Sequence, residues 1–120
     1  MKKLVFLLLL SLSVLSCQEK TQMPITEFSA ADLKAGELLV DVRTPGEFSQ
    51  GHLPGALNVD WMADDFIRHW DTVSRDQKLY LYCQAGVRSA HAARVLDSLG
   101  FRVVDLTGGY AEYLRARPRE

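Results

Sequence analysis

The chain has 120 residues, of which 48% are hydrophobic and 24% are charged, and its formal net charge is -1 at neutral pH. We expect one domain from this length, and neither a two-domain enzyme nor a polytopic membrane protein. A mildly charged chain without a block of Lys and Arg lacks the electrostatic footprint of nucleic-acid binding, so we expect no nucleic-acid partner. The chain has two cysteines, Cys17 and Cys83, and their contexts differ.

The N-terminal segment has the features of an export signal. Lys2 and Lys3 form a basic start, and the apolar run that follows is shorter than the about 20 residues that a membrane-spanning helix needs. The run ends at Ser16-Cys17, which resembles the bacterial lipobox, where the Cys thiol is alkylated by diacylglycerol and cleavage falls before it. We therefore predict a lipoprotein signal peptide over 1–16, lipidation at Cys17, and a polar tether over 17–24.

This resemblance implies a protein of the bacterial cell envelope, anchored by lipid on the periplasmic side. Several acyl chains on one residue give stable anchoring, whereas one chain is marginal. Gln18 follows the cysteine; it is not the Asp that is associated with inner-membrane retention in enteric bacteria, so the outer membrane is favoured. The alternatives are an ordinary signal peptide that ends near a cysteine and a buried hydrophobic helix of the fold.

Beyond the tether, apolar runs typical of buried strands alternate with helical patterns. Strands are predicted at 38–42, 56–59, 78–82 and 101–106. Helical segments are predicted at 30–35 after Ser29 as N-cap, at 44–48 as a turn or short helix, and at 62–70, 89–99 and about 110–116. The alternation predicts an α/β domain with a central parallel sheet and helices on both faces. Ligands of such sheets bind beyond the carboxyl ends of the strands, and Cys83 directly follows the strand at 78–82.

The loop at 83–89 combines a thiol with features that bind anions. Unpaired N–H groups at the start of the following helix, together with the helix dipole, favour negative charge. Arg88 adds a full positive charge, and Gly86 permits backbone angles that other residues resist. Each effect favours thiolate over thiol. The loop therefore predicts a nucleophilic Cys83 in an anion-binding cradle built by Gln84, Ala85, Gly86, Val87, Arg88 and Ser89. The alternative is a small buried cysteine at a strand end, against which the Gly-x-Arg-Ser context argues.

Four segments, taken in order, resemble the rhodanese-like domain family over residues 25–117. They are Asp41-Val42-Arg43 with Glu47-Phe48, the run Gly51 to Asn58, the loop Cys83 to Ser89, and Gly108-Gly109-Tyr110. A compact domain behind a signal peptide is also similar to the small periplasmic thiosulfate sulfurtransferases of that family.

The resemblance implies transfer of sulfane sulfur without a metal or organic cofactor. Cys83 would attack a donor such as thiosulfate, become a persulfide, and pass the outer sulfur to a thiophilic acceptor, a thiol or the cyanide used in assays. Loop N–H groups would stabilise the thiolate and the persulfide, and Arg88 would help to bind the anionic donor. Covalent two-step catalysis of this kind gives ping-pong kinetics.

Two other function classes stay open. Phosphatases and arsenate reductases also use a Cys…Arg loop around an oxyanion, but protein tyrosine phosphatases have five residues between Cys and Arg, and here Gln84 to Val87 make four. The shorter loop suits a sulfur atom better than a tetrahedral phosphate. The other class is a persulfide carrier or thiol-redox binding module without thiosulfate turnover. With Cys17 consumed by lipid, Cys83 would be a lone thiol in an oxidising compartment, so we expect a periplasmic thiol-redox partner.

Three polar residues outside the loop are possible supporting residues. Asp41 and Arg43 flank the end of the strand at 38–42, where we expect them to hold the loop 43–52 by hydrogen bonds, with Arg43 able to face the pocket. His52, between turn residues, is expected to fix its loop rather than move protons. The three His and the thiol are too scattered for a metal site.

Overall fold

A computed structural model of the protein describes residues 19–117. The predicted signal peptide and the predicted lipidation site Cys17 lie outside these residues. The described part is a single α/β domain, as the sequence predicted. None of its helices is long and apolar enough to cross a membrane.

One parallel sheet of five strands forms the centre of the domain, in the order β1-β5-β4-β2-β3. The three inner strands consist largely of aliphatic and aromatic residues because both faces of a parallel sheet are covered. The strands are β1 (Gln22–Pro24), β2 (Glu37–Asp41), β3 (Leu57–Asn58), β4 (Lys78–Tyr82) and β5 (Arg102–Thr107).

Helices cover both faces of this sheet and complete two apolar cores. One core lies beneath α2 and α3 and contains Leu81, Trp70 and Leu96. The other contains Leu39 and Leu106, with α1 and α4 packed against it. The helices are α1 (Pro45–Ser49), α2 (Phe66–His69), α3 (Val87–Ser98) and α4 (Gly109–Ala116), and two short 3-10 helices span Ile25–Glu27 and Ala30–Asp32.

The structure corrects the sequence prediction in three places. Residues 22–24, which we assigned to the tether, form β1 and pair with β5; three residues are too few to show a periodicity. The helix predicted at 30–35 is a single 3-10 turn, and the Ser29 side chain makes no capping hydrogen bond. In the helix predicted at 62–70 only Phe66–His69 is α-helical, since Met62 is 70% exposed and does not join the core.

Candidate active site

The predicted site residues meet at the edge of the sheet where the parallel strands end. Cys83 follows β4, Asp41 is the last residue of β2, and Gly108 follows β5. Because all of these strands run in the same direction, their carboxyl ends bring distant parts of the chain together at one edge. The structure thereby places the loop 83–89 next to Arg43 and the start of α4.

Cys83 lies at the bottom of a tight loop that wraps around its sulfur atom. The residue is 1% exposed. The backbone N–H of Gly86 donates a hydrogen bond to Sγ at 3.1 Å. Gly86 has φ 102° and is the N-cap of α3, so a residue without a side chain is what allows the loop to turn back on the sulfur. The sulfur therefore faces an N–H donor and the positive end of the α3 dipole.

Ser89 forms the second contact of the sulfur. The Cys83 thiol donates to Ser89 Oγ at 3.4 Å, and the Ser89 hydroxyl donates to the Gly86 carbonyl oxygen at 3.3 Å. Ser89 is fully buried in the first turn of α3. A hydroxyl can reverse its role and donate to the sulfur once the thiolate forms.

Arg88 forms an ion pair that the sequence analysis did not include. Its guanidinium makes two hydrogen bonds to the carboxylate of Glu47, from Nη1 at 2.6 Å and from Nη2 at 2.8 Å. The Arg88 guanidinium lowers the pKa of Glu47 from about 4.5 to about 2, and Glu47 in turn raises the pKa of Arg88. The ion pair joins α1 to α3, and the role of Arg88 in donor binding stays a prediction.

Arg43 connects three segments around the site. Its buried guanidinium pairs with Asp41 at 2.6 Å and donates to the carbonyl oxygen of Gly51 at 2.7 Å and to Oε1 of Gln84 at 3.1 Å. It also lies 4.3 Å from the centre of the Tyr110 ring. These contacts hold the loop 43–52, as we expected of the pair, and they also reach the side chain of Gln84 in the loop that carries Cys83.

His52 is exposed, and its side chain contacts Phe48 in the same turn. Its Nδ1 lies 2.9 Å from the carbonyl oxygen of Phe48, and its ring stacks on the Phe48 ring at 3.7 Å. Of the three supporting residues, Arg43 is the one with a described hydrogen bond to the loop 83–89, and Asp41 is joined to that loop through Arg43.

The start of α4 anchors the backbone of the loop from the other side. The N–H groups of Tyr110 and Ala111 donate to the carbonyl oxygens of Cys83 and Gln84 at 2.8 and 3.0 Å. Gly109 makes this approach possible, because a Cβ atom there would lie 2.5 Å from the Gln84 oxygen. The first N–H groups of a helix have no partner within it, and here they fix the position of the nucleophile.

Two residues of the site have roles that the sequence analysis missed. Glu47, which binds Arg88, is also the N3 residue of α1 and forms a capping box with Thr44. The Thr-x-x-Glu pattern could have revealed that local role. Asp105 lies in β5, is 3% exposed, and carries an Oδ1 atom without a hydrogen-bond partner. Burial raises its pKa, while hydrogen bonding with Ser89 opposes the shift. Its place inside the apolar strand predicted at 101–106, in a sheet covered on both faces, could have indicated that it is buried.

Within residues 19–117, no group of three or more His, Cys, Asp and Glu side chains is arranged to hold a metal ion. The chemistry that this geometry supports is that of a single activated thiol in a small cradle of N–H donors.

Comparison with known proteins decides the family. The model of the rhodanese-like domain matches residues 26–116. The chain belongs to the rhodanese-like domain family. It is 37% identical over 94 residues to thiosulfate sulfurtransferase 16 of Arabidopsis thaliana, over 69% of this chain and 78% of that protein. A putative sulfurtransferase of Bacillus subtilis is 33% identical over 93 residues, which cover 72% of this chain and 88% of that protein.

Solved structures of rhodanese-like domains have the same fold. A rhodanese-like domain protein from Staphylococcus aureus superposes with a TM-score of 0.65 at 27% identity, covering 76% of this chain and 87% of that one. A protein from Staphylococcus saprophyticus gives a TM-score of 0.66 at 28% identity and covers 80% and 93% of the two chains. The sulfurtransferases among the relatives support sulfur transfer as the general chemistry of this domain.

Proposed function

We propose that the protein transfers sulfane sulfur from a donor such as thiosulfate to a thiophilic acceptor through a persulfide on Cys83. The observation that carries this proposal is the 3.1 Å hydrogen bond from the Gly86 N–H to the Cys83 sulfur, at the N-terminus of α3. A donor placed there stabilises negative charge on sulfur both before the reaction, in the thiolate, and after it, in the persulfide.

The reaction proceeds in two displacement steps. The Cys83 thiolate attacks the outer sulfur of thiosulfate, a new S–S bond forms, and the old S–S bond breaks with its electron pair leaving on sulfite. The acceptor then attacks the outer sulfur of the persulfide, and the Cys83 thiolate is released. With cyanide as the acceptor, the product is thiocyanate. Sulfite leaves before the acceptor reacts, so the kinetics are ping-pong.

The site is a poor match for a phosphatase. Only four residues separate Cys83 from Arg88, and the Arg88 guanidinium, which in a phosphatase would clamp the phosphate, is bound by both oxygens of Glu47. The cradle that remains suits a single sulfur atom.

The test is the formation of thiocyanate from thiosulfate and cyanide. Cys83→Ser should abolish turnover, because a hydroxyl cannot carry the persulfide, whereas the matched variant Cys17→Ser should turn over like the unaltered chain. Equal loss in both variants would contradict the proposal, as would activity that survives in Cys83→Ser. Hydrolysis of an aryl phosphate by the unaltered chain at a rate exceeding its thiocyanate formation would favour the phosphatase.

A second candidate, a persulfide carrier that receives sulfur from a partner protein, is favoured by the charges around the loop. Arg88 pairs with Glu47, Arg43 pairs with Asp41, and the side chains of Gln84, Ala85 and Val87 are uncharged. Thiosulfate carries two negative charges and gains little from paired arginines. If the carrier is correct, Cys83 accepts sulfur from a thiol persulfide but not from thiosulfate.

We further propose that the domain works at the periplasmic side of a bacterial cell envelope. A lipid on Cys17 would hold it at a membrane, with the outer membrane favoured by Gln18, and a periplasmic thiol-redox protein would keep Cys83 reduced. The order of the basic start, the short apolar run, Ser16 and Cys17 supports this proposal.

A further inference from the structure

The chain just before β1 is fixed along β5. In the register of the two strands Gln22 pairs with Asp105, and the Asp105 N–H donates to the carbonyl oxygen of Thr21 at 2.9 Å. Two positions before Thr21, the carboxylate of Glu19 pairs with the guanidinium of Arg102 at 2.5 Å. Arg102 is the first residue of β5. Glu19 therefore lies at the edge of the sheet where the strands begin.

Cys83 lies at the opposite edge of the sheet. Leu81 of β4 is in register with Asp105 of β5, so Cys83 is level with Thr107, the last residue of β5. A rise of about 3.3 Å per residue places the levels of Arg102 and Thr107 about 16 Å apart along the strands. Because the paired strands are parallel, one edge of the sheet carries the nucleophile and the other carries Glu19.

The predicted lipidation site is tied to the edge where the strands begin. Only Gln18 separates Cys17 from Glu19, and two residues of fully extended chain span at most about 7 Å. This length is less than half of the distance between the two edges. If Cys17 carries lipid, the tether is too short for the domain to turn over and bring the edge with Cys83 against the membrane.

Basic side chains gather around the start of this tether. Lys34, Lys78 and Arg102 line one hollow at the edge where the strands begin. The charged residues of this hollow and of the first two described positions are Glu19, Lys20, Lys34, Glu37, Asp76, Lys78 and Arg102. Four of these seven residues are basic, so this surface carries a small positive charge, which anionic lipid headgroups attract.

Exposed carboxylates mark the opposite edge. Asp64 and Asp65 lie in the loop that follows the carboxyl end of β3, and both are exposed. The two arginines beside the active loop are each paired with a carboxylate. An anionic membrane surface repels the exposed carboxylates and attracts the lysines of the other edge, so charge favours the orientation that the short tether sets.

We propose that the edge of the sheet where the strands begin is the membrane-facing surface of the anchored protein, and that the loop 83–89 points away from the lipid. The partner of this surface is a leaflet that contains anionic phospholipid. The active loop then meets sulfur donors and acceptors that are dissolved in water, and not groups held within the bilayer. The inference rests on the proposed lipid anchor at Cys17 and is independent of which sulfur donor Cys83 uses.

The experiment compares two fluorescent labels on the lipidated full chain. The vesicles consist of phosphatidylethanolamine and phosphatidylglycerol, and some headgroups carry a nitroxide. Asp76→Cys places one label beside the hollow, and Asp64→Cys is the matched control, because it also replaces an exposed Asp but lies at the opposite edge. The nitroxide quenches a dye only at close approach, so it should quench the label at residue 76 several-fold more than the label at residue 64.

Both labelled proteins also carry Cys83→Ser, so that the introduced thiol is the one that reacts with the dye. If Cys83→Ser does not give the native circular-dichroism spectrum, Cys83→Ala takes its place. Equal quenching of the two labels, or stronger quenching at residue 64, would overturn the proposal.

A longer tether provides the second control. A flexible Gly-Ser segment of about 20 residues, inserted between Gln18 and Glu19, spans about 25 Å. It lets the domain turn, so the two labels should be quenched to more similar extents than on the short tether. A difference between the labels that the inserted segment leaves unchanged would also overturn the proposal.

Intact mass spectrometry of the reconstituted protein distinguishes a failure of the orientation from a failure of the anchor. A protein without acyl mass on Cys17 would overturn the anchor and the orientation together. Acyl mass on Cys17 with equal quenching of both labels would overturn the orientation alone. The assay contains no sulfur donor, so its failure is distinct from a failure of the thiocyanate assay.

Discussion

Gly109 is the single residue on which the backbone of the active loop depends most closely. Its φ is +67°, and a Cβ atom there would lie 2.5 Å from the Gln84 oxygen and 2.7 Å from the Cys83 oxygen. Both oxygens accept hydrogen bonds from the first turn of α4. A side chain at this position would push α4 away from the carbonyl groups that it caps, and the cradle around the sulfur would open.

Gly109→Ala is therefore expected to destabilise the protein more than Gly36→Ala. Gly36 also has a positive φ, +82°, but a Cβ there would meet nothing within 4 Å. The control should lose about 1 kcal/mol of unfolding free energy from backbone strain, and Gly109→Ala should lose a further 1 to 3 kcal/mol, roughly, from the clash. Urea denaturation measures both. Equal losses of unfolding free energy in the two variants would show that the close approach of Gly109 to Cys83 and Gln84 does not affect stability.

At the scale of elements, the ion pair between Glu47 and Arg88 joins α1 to α3. Glu47 accepts two hydrogen bonds from Arg88 and is also bonded by Thr44 at the start of α1. A five-residue helix is too short to be stable on its own. The pair thus links the loop after β2 to the helix that carries the active loop.

This pair makes a testable contribution to acid stability. The pKa of Glu47 is lowered from about 4.5 to about 2 by the Arg88 guanidinium. A lowered pKa means that the stabilisation is complete above the unfolded-state value of about 4.5 and is lost as pH falls towards about 2. Glu47→Gln should lower the unfolding free energy by about 1 kcal/mol at neutral pH, a modest amount because the pair is partly exposed.

The difference between the two proteins, measured by urea denaturation at several pH values, should be constant above about pH 5 and shrink towards pH 2. The control Glu112→Gln breaks an exposed pair with Arg115 within one helix and should change stability very little. A Glu47→Gln difference that does not decrease on acidification would refute the assignment.

The elements also show what a sequence can reveal. The strands β2, β4 and β5 and the helices α3 and α4 could be predicted to within one or two residues at each end, because their apolar patterns are long and their ends are marked by Gly or by polar residues. The edge strand β1 could not, since three residues pair only through contacts with β5, which lies about 80 positions further along the chain. The 62–65 part of the predicted helix is wrong because apolar spacing alone cannot distinguish a core residue such as Phe66 from an exposed one such as Met62.

In the candidate site, too, the features formed by neighbouring residues could be predicted and those formed by distant residues could not. Cys83 and its loop could be predicted because the residues that form the cradle are consecutive in the sequence. The pairing of Arg88 with Glu47 spans 41 positions, and the position of Asp105 beside Leu81 depends on strand register. Such contacts depend on how the strands of the parallel sheet are arranged, so they cannot be predicted from short stretches of sequence.

At the scale of the whole molecule, the two cysteines are expected to have separate fates. We expect the protein isolated from its native host to lack residues 1–16, to carry acyl mass on Cys17 and to partition with membranes. Intact mass spectrometry of the membrane fraction tests this prediction, and a Cys17→Ser variant should stay unprocessed and unacylated. A soluble periplasmic protein with an unmodified Cys17 would refute the lipid anchor and leave the sulfur chemistry of Cys83 untouched.

During turnover, the transferred sulfur is expected to reside on Cys83. The most direct measurement is mass spectrometry of the Cys83 peptide after the protein is mixed with a sulfane donor in the absence of an acceptor. We predict the gain of one sulfur atom on Cys83, which disappears on addition of cyanide as an equal amount of thiocyanate forms. A Cys83 that stays unmodified both with thiosulfate and with a thiol persulfide would show that this cysteine does not carry the transferred sulfur.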